Sequence, residues 1–236
     1  MHADTYTRHR RNGWIVAAAA LGAMAYPVLG AAADNARFET LSVYLERNVQ
    51  DRDTEILFEA TSGENGLAAL KVLAPGGRTV IDIRTPDSKL GIRKLKVESP
   101  EPLDDALIRA DFPEGTYRFE GKTTDGANLR GETWLSHAFP APAAFEYPLP
   151  GQKDVPPTAL TLRWALPEGI ESCVIVIEQT GTPYEIRIRL PGSTRAFTIP
   201  DGFLRAGQAY TFAIGTVAKD GNRSFVEASF STAMAR

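Results

Sequence analysis

The sequence predicts an all-β fold, with two β-sandwich modules in tandem. Three observations predict it. Short runs of alternating apolar and polar residues recur, split by turns rich in Gly, Pro, Asn and Asp, the pattern of half-buried strands in a sandwich or barrel. One grammar occurs twice: Gly115, Tyr117-x-Phe119 and Asp125-Gly126, then Gly207, Tyr210-x-Phe212 and Asp220-Gly221. It reads as two copies of one unit. Between the copies stand Pro140, Pro142, Pro148, Pro150, Pro156 and Pro157. Proline fixes φ and removes a donor, so 139–152 reads as a semi-rigid linker and not as an interior strand.

The N-terminus precedes the fold. Arg8, Arg10 and Arg11 lead into an apolar run from Trp14 to about Leu29, followed by Ala31-Ala32-Ala33-Asp34. A basic region, an apolar region and small residues at the end make a secretory signal peptide over residues 1–33. The run is rich in Ala and Gly and holds Pro27, which makes it a weak candidate for a membrane span. Arg10-Arg11 resembles a twin-arginine signal, although Asn12-Gly13-Trp14 fits that motif poorly. Removing 1–33 leaves 23 basic and 28 acidic residues, with one Cys, Cys173, and one His, His137. A net −5 gives no electrostatic case for nucleic acid. A single Cys forms no internal disulfide, so packing alone holds the exported chain together.

In the first module, residues 34–138, the apolar positions Leu41, Val43 and Leu45 start the alternation, and Ile56, Phe58 and Ala60 continue it. Strands follow over 67–73, 80–83 and 92–97. Leu103, Ala106, Leu107 and Ala110 have helical spacing and predict a helical turn across the sandwich. Strands over 117–123 and 128–136 close the module around Asp125-Gly126, a hairpin signal. The second module, 153–236, has seven predicted strands: a short one near Val155, then 159–165, 173–179, 184–190, 195–199, 209–218 and 224–231. Leu204, Gly207 and Tyr210 are spaced as in a tyrosine corner, where a Tyr hydroxyl bonds to backbone a few residues upstream.

Residues 151–236 resemble a fibronectin type III domain. The resemblance rests on the leading prolines, on Leu160-Thr161-Leu162-Arg163-Trp164, and on the corner with its Tyr210-x-Phe212-x-Ile214 strand. It implies an immunoglobulin-like sandwich used as a binding or spacer module. Lys219-Asp220-Gly221-Asn222 stands where an Arg-Gly-Asp tripeptide would sit, so integrin-type adhesion is not implied. The first module looks immunoglobulin-like only in general.

Trp164, Leu204, Gly207, Tyr210 and Phe212 are expected as structural residues. Cys173 opens an apolar strand with no basic neighbour, the setting of an inert buried thiol. His137 has no second His and no Cys near it, so no metal site and no cofactor is expected. No Gly-x-Ser-x-Gly or other nucleophile motif occurs, and the chain reads as non-catalytic. Asp51, Asp53 and Glu55 read as a solvated turn. Trp134 alternates in register with Arg130 and Glu132, and is a candidate contact for a sugar or protein, against the expectation that both faces of its strand are covered. Arg187 and Arg189 are candidate contacts for an acidic partner, although charges on such a strand also deter edge-to-edge pairing.

The function expected is a non-catalytic interaction or spacer module of the bacterial envelope, periplasmic or secreted. Its partner would be another envelope or secreted protein, with no membrane span after signal cleavage. The alternatives are carbohydrate binding through an exposed aromatic, with a polysaccharide as partner, and an enzyme with an unrecognised site.

Overall fold

The computed structural model describes residues 37–87, 89–100 and 105–235. The expected signal peptide lies outside them. Among the described residues no helix is long and apolar enough to cross a membrane.

The first module contains β1 (Thr40–Asn48), β2 (Asp53–Thr61), β3 (Leu67–Leu73), β4 (Thr79–Arg84), β5 (Lys94–Glu98), β6 (Gly115–Thr123) and β7 (Asn128–Leu135). The helical turn predicted before β6 is α1 (Asp105–Asp111). Its Asp105 stands in the first turn and Arg109 in the last, each sign at the favourable end of the helix dipole. Ile108 is its buried anchor. The second module contains β8 (Ala144–Tyr147), β9 (Gln152–Val155), β10 (Thr161–Ala165), β11 (Ser172–Gln179), β12 (Glu185–Pro191), β13 (Ala196–Thr198), β14 (Ala209–Val217) and β15 (Arg223–Thr232).

Both modules have one topology. In the first, β1-β2-β5 faces β4-β3-β6-β7. In the second, β8-β10-β13 faces β12-β11-β14-β15, with β9 added beside β15. Leaving β9 aside, each module places its first, second and fifth strands against its fourth, third, sixth and seventh. This is a fibronectin type III-like order. The strand order over residues 40–135, expected as only generally immunoglobulin-like, thus matches that over 144–232 apart from β9. Each encloses its own core, one around Phe58, Leu70, Val72, Tyr117 and Phe119, the other around Trp164, Ile175, Tyr210, Phe212 and Ile214.

The expected linker is more ordered than its prolines suggest. Residues 144–147 form β8, which pairs with β10 alone. It is an edge strand, where the flanking Pro142 and Pro148 remove no ladder hydrogen bond. Gln152 and Val155 of β9 pair in parallel with Phe230 and Thr232.

The modules also share a sheet. β1 runs parallel to β15 with Glu46 opposite Arg223, Arg47 opposite Ser224 and Asn48 opposite Phe225. The sheet order β12-β11-β14-β15-β1-β2-β5 is thus continuous from one module into the other.

Candidate functional site

The two tyrosine corners fix the halves from within. The Arg205 amide donates to the Tyr210 hydroxyl at 2.7 Å, and Tyr210 stacks on Phe230 with centroids 5.5 Å apart. Gly207 carries the turn at φ 67°, a conformation that favours glycine. In the first module the Tyr117 hydroxyl donates to the Pro113 carbonyl at 3.2 Å. Burial pushes the Tyr117 phenol up to about 12. Trp164, Leu204 and Phe212 are all buried in the second core. Cys173 lies there too; burial pushes its thiol up, away from reactive thiolate.

The junction between modules is built around Asn222, 1% exposed. It closes the Asp220-Gly221-Asn222 turn ahead of β15. Its Oδ1 accepts the Leu45 amide of β1 at 2.7 Å. Its Nδ2 donates to the Ser136 and Ala138 carbonyls, both at 2.8 Å. One amide thus spends acceptor and donors on a strand of the other module and on the segment that joins them. The Ser224 hydroxyl donates to the Pro140 carbonyl at 2.8 Å, and Thr216 donates to that of Ala141 at 3.0 Å. Val49 N donates to the Phe225 carbonyl at 2.9 Å.

Charge closes the seam. Arg223 Nη1 lies 3.2 Å from Glu46 Oε2, and its guanidinium sits 4.1 Å from the Tyr44 ring centroid. The Tyr44 hydroxyl donates to Glu59 at 3.0 Å, and burial pushes its phenol far up. Arg47 donates to Ser224 Oγ at 2.9 Å and lies 4.4 Å from the Phe139 ring centroid. Of the Lys219–Asn222 turn, Asn222 is buried in this seam, while Lys219 and Asp220 stay exposed.

Beside the seam lies a cleft of about 230 Å³. Its floor is Val176, Ala213 and Phe225 on the outward face of β11, β14 and β15. Glu46, Asp51, Asp53, Glu55, Glu178 and Glu227 line it, together with Arg47 and Arg187. Burial, against the pull of Arg223, raises the Glu46 carboxyl above the usual range. Glu178 is raised by burial and by its hydrogen bond with Glu185, which stands opposite it across β11 and β12. Glu227 is raised by burial and by Asp51.

The candidate contacts fall in different places. Trp134 is 60% exposed on β7, which corrects the expectation that its strand is covered on both faces. β7 edges a sheet whose outer positions, Arg118, Glu120, Arg130 and Glu132, are exposed. Arg187 reaches the cleft and pairs with Glu185 at 3.0 Å. Arg189 donates to the Ser172 hydroxyl at 2.8 Å. The structure does not bring Trp134 to the cleft with Arg187. His137 Nε2 is 2.8 Å from the Phe112 carbonyl, and the Arg109 guanidinium donates to the His137 carbonyl at 3.0 Å. Asp51, Asp53 and Glu55, expected as a solvated turn, form one wall of the cleft. Among the described residues no three His, Cys, Asp or Glu side chains converge as a metal site would require.

No protein-family model matches the chain, and no curated protein matches it in sequence. Among solved structures, it is similar to a two fibronectin type III domain segment of chicken tenascin, at 12% identity and a TM-score of 0.33, covering 83% of this chain and 99% of that one. It is also similar to the fibronectin(III)-like modules of CbhA from Clostridium thermocellum, at 10% identity and a TM-score of 0.33, covering 84% and 94%. The strand order and the two tyrosine corners carry the fold. The chain has a fibronectin type III-like fold.

Proposed function

We propose that this protein is a non-catalytic spacer and interaction unit of the bacterial envelope, exported by its N-terminal signal and working as one rigid body of two modules. The observation that carries this reading is the buried Asn222, which ties β1, the joining segment and the β14–β15 turn into one seam. A flexible tether would leave these groups to water. A seam that buries them holds the two sandwiches at one angle and presents a fixed surface to a partner protein.

The test is a distance measurement between spin labels at Glu120→Cys and Glu168→Cys, both exposed, one on each module. The single native thiol, Cys173, is buried and leaves labelling specific. One narrow distance supports the reading, and Asn222→Ala should broaden it. A broad distribution in the parent chain contradicts it. Export is checked by fractionation and N-terminal mass analysis. A chain starting near Asp34 outside the cytoplasm is expected; an intact N-terminus in the cytoplasm contradicts export.

The exposure of Trp134 favours one second reading, a polysaccharide contact on the outer face of β6 and β7. Trp164 is buried, so a tryptophan emission shift on adding polysaccharide, lost in Trp134→Ala, would support it. An unchanged emission would set it aside.

A further inference from the structure

We propose that the cleft beside the module seam is the docking site for an arginine-bearing extended segment of a partner protein. The inference rests on the reading of this chain as an interaction unit and names the surface and the partner's chemistry.

Size narrows the occupant first. A cleft of about 230 Å³ is below the roughly 300–1,000 Å³ of pockets that hold metabolites or cofactors. It suits a long side chain. The carboxylates do not converge as a metal requires, so the cation is an organic one spread over a wider surface.

Charge narrows it next. Six carboxylates and two guanidiniums line the cleft, a formal −4 when all are ionised. The cations already there are engaged locally, Arg187 with Glu185 and Arg47 with Ser224 and the Phe139 ring, and Arg223 already pairs with Glu46, so the remaining acidic side chains face an incoming partner. Glu178 stands on β11 opposite Glu185, whose carboxylate is taken by Arg187, and the Glu227 carbonyl accepts from Gln50 of the β1–β2 turn, next to Asp51. An incoming cation would meet Glu178 and the Asp51–Glu227 side of the rim together. Polar rim and apolar floor come from six strands, β1, β2, β11, β12, β14 and β15, and from the β1–β2 turn, so the seam assembles the cleft.

The floor selects arginine over lysine. The Phe225 side chain lies over Gly215, its partner across β14 and β15, so closely that a Cβ there would meet Phe225 Cζ at 2.5 Å. Val176 and Ala213 continue this apolar strip. A planar guanidinium stacks on an aromatic ring and forks onto carboxylates; an ammonium does the first less well and the second not at all.

The test uses the full chain and a fluorescein-labelled heptapeptide of three arginines spaced by glycine, read by polarisation. Saturable binding is expected, weakened at least tenfold in Glu178→Gln/Glu227→Gln and unchanged in Glu120→Gln/Glu132→Gln on the separate β4-β3-β6-β7 sheet. The citrulline peptide, equal in shape and uncharged, should not bind, and the lysine peptide should bind more weakly. Equal loss in both double variants would overturn the site, because any acidic surface would then serve. Equal affinity for lysine would overturn the assignment to arginine. Absence of binding, with the spin-label distance still narrow, would overturn this inference and leave the rigid-unit reading standing.

Discussion

Asn222 makes three hydrogen bonds with one buried side chain, and none of its partners is local. Truncation to alanine strands a buried amide and two carbonyls. Leaving such groups unsatisfied costs roughly 1–3 kcal/mol each, less what water can recover, so Asn222→Ala should lose about 2–4 kcal/mol by denaturant titration. The corner tyrosines are a milder case. Tyr210→Phe leaves the Arg205 amide without its acceptor, and Tyr117→Phe leaves the Pro113 carbonyl without its donor. Each should lose about 1 kcal/mol with the fold retained. Tyr210 was legible in the sequence because its corner is spelled within seven residues. Asn222 was not. Leu45 is 177 positions away and the Ser136 carbonyl 86, so no local pattern marks it.

Among elements, β1 shows most clearly what the seam does. Val43, Tyr44 and Leu45 are consecutive and all buried, whereas a strand with one solvated face buries every second residue. Tyr44 reads as the polar half of an alternation, and its cover, Arg223 and the turn before β15, comes from the other module. β8 was hidden for a different reason. Its prolines argue against an interior strand, and it is an edge strand. β1, β2, β11 and β15 carry the carboxylates of the cleft, which gives a pH dependence. Glu46, Glu178 and Glu227 have carboxyls raised chiefly by burial. The folded state therefore binds their protons more tightly than the unfolded chain does. The stability they contribute is fully present below the ordinary carboxylate pKa and is lost as pH rises through the raised values. Glu185, held low by Arg187, works in the opposite sense beside Glu178. Thermal melts from mildly acidic to neutral pH should show a fall that Glu178→Gln/Glu227→Gln flattens, with a gain of about 1–2 °C at neutral pH. A double variant less stable than the parent at neutral pH would contradict this.

At the scale of the whole molecule, the repeat was readable because each copy spells its own hairpin and tyrosine. The way the copies join was not, because the joining hydrogen bonds run from β15 to β1 and to the carbonyls of Ser136, Ala138 and Pro140. Two sandwiches with separate cores would be expected to unfold separately if a loose tether joined them. A shared sheet and a buried asparagine couple them. The most direct measurement of that coupling is scanning calorimetry of the parent chain and of Asn222→Ala. One transition, with calorimetric and van't Hoff enthalpies equal in the parent and a split or broadened transition in Asn222→Ala, is the predicted result. Two resolved transitions in the parent, unmoved by the substitution, would contradict a rigid unit.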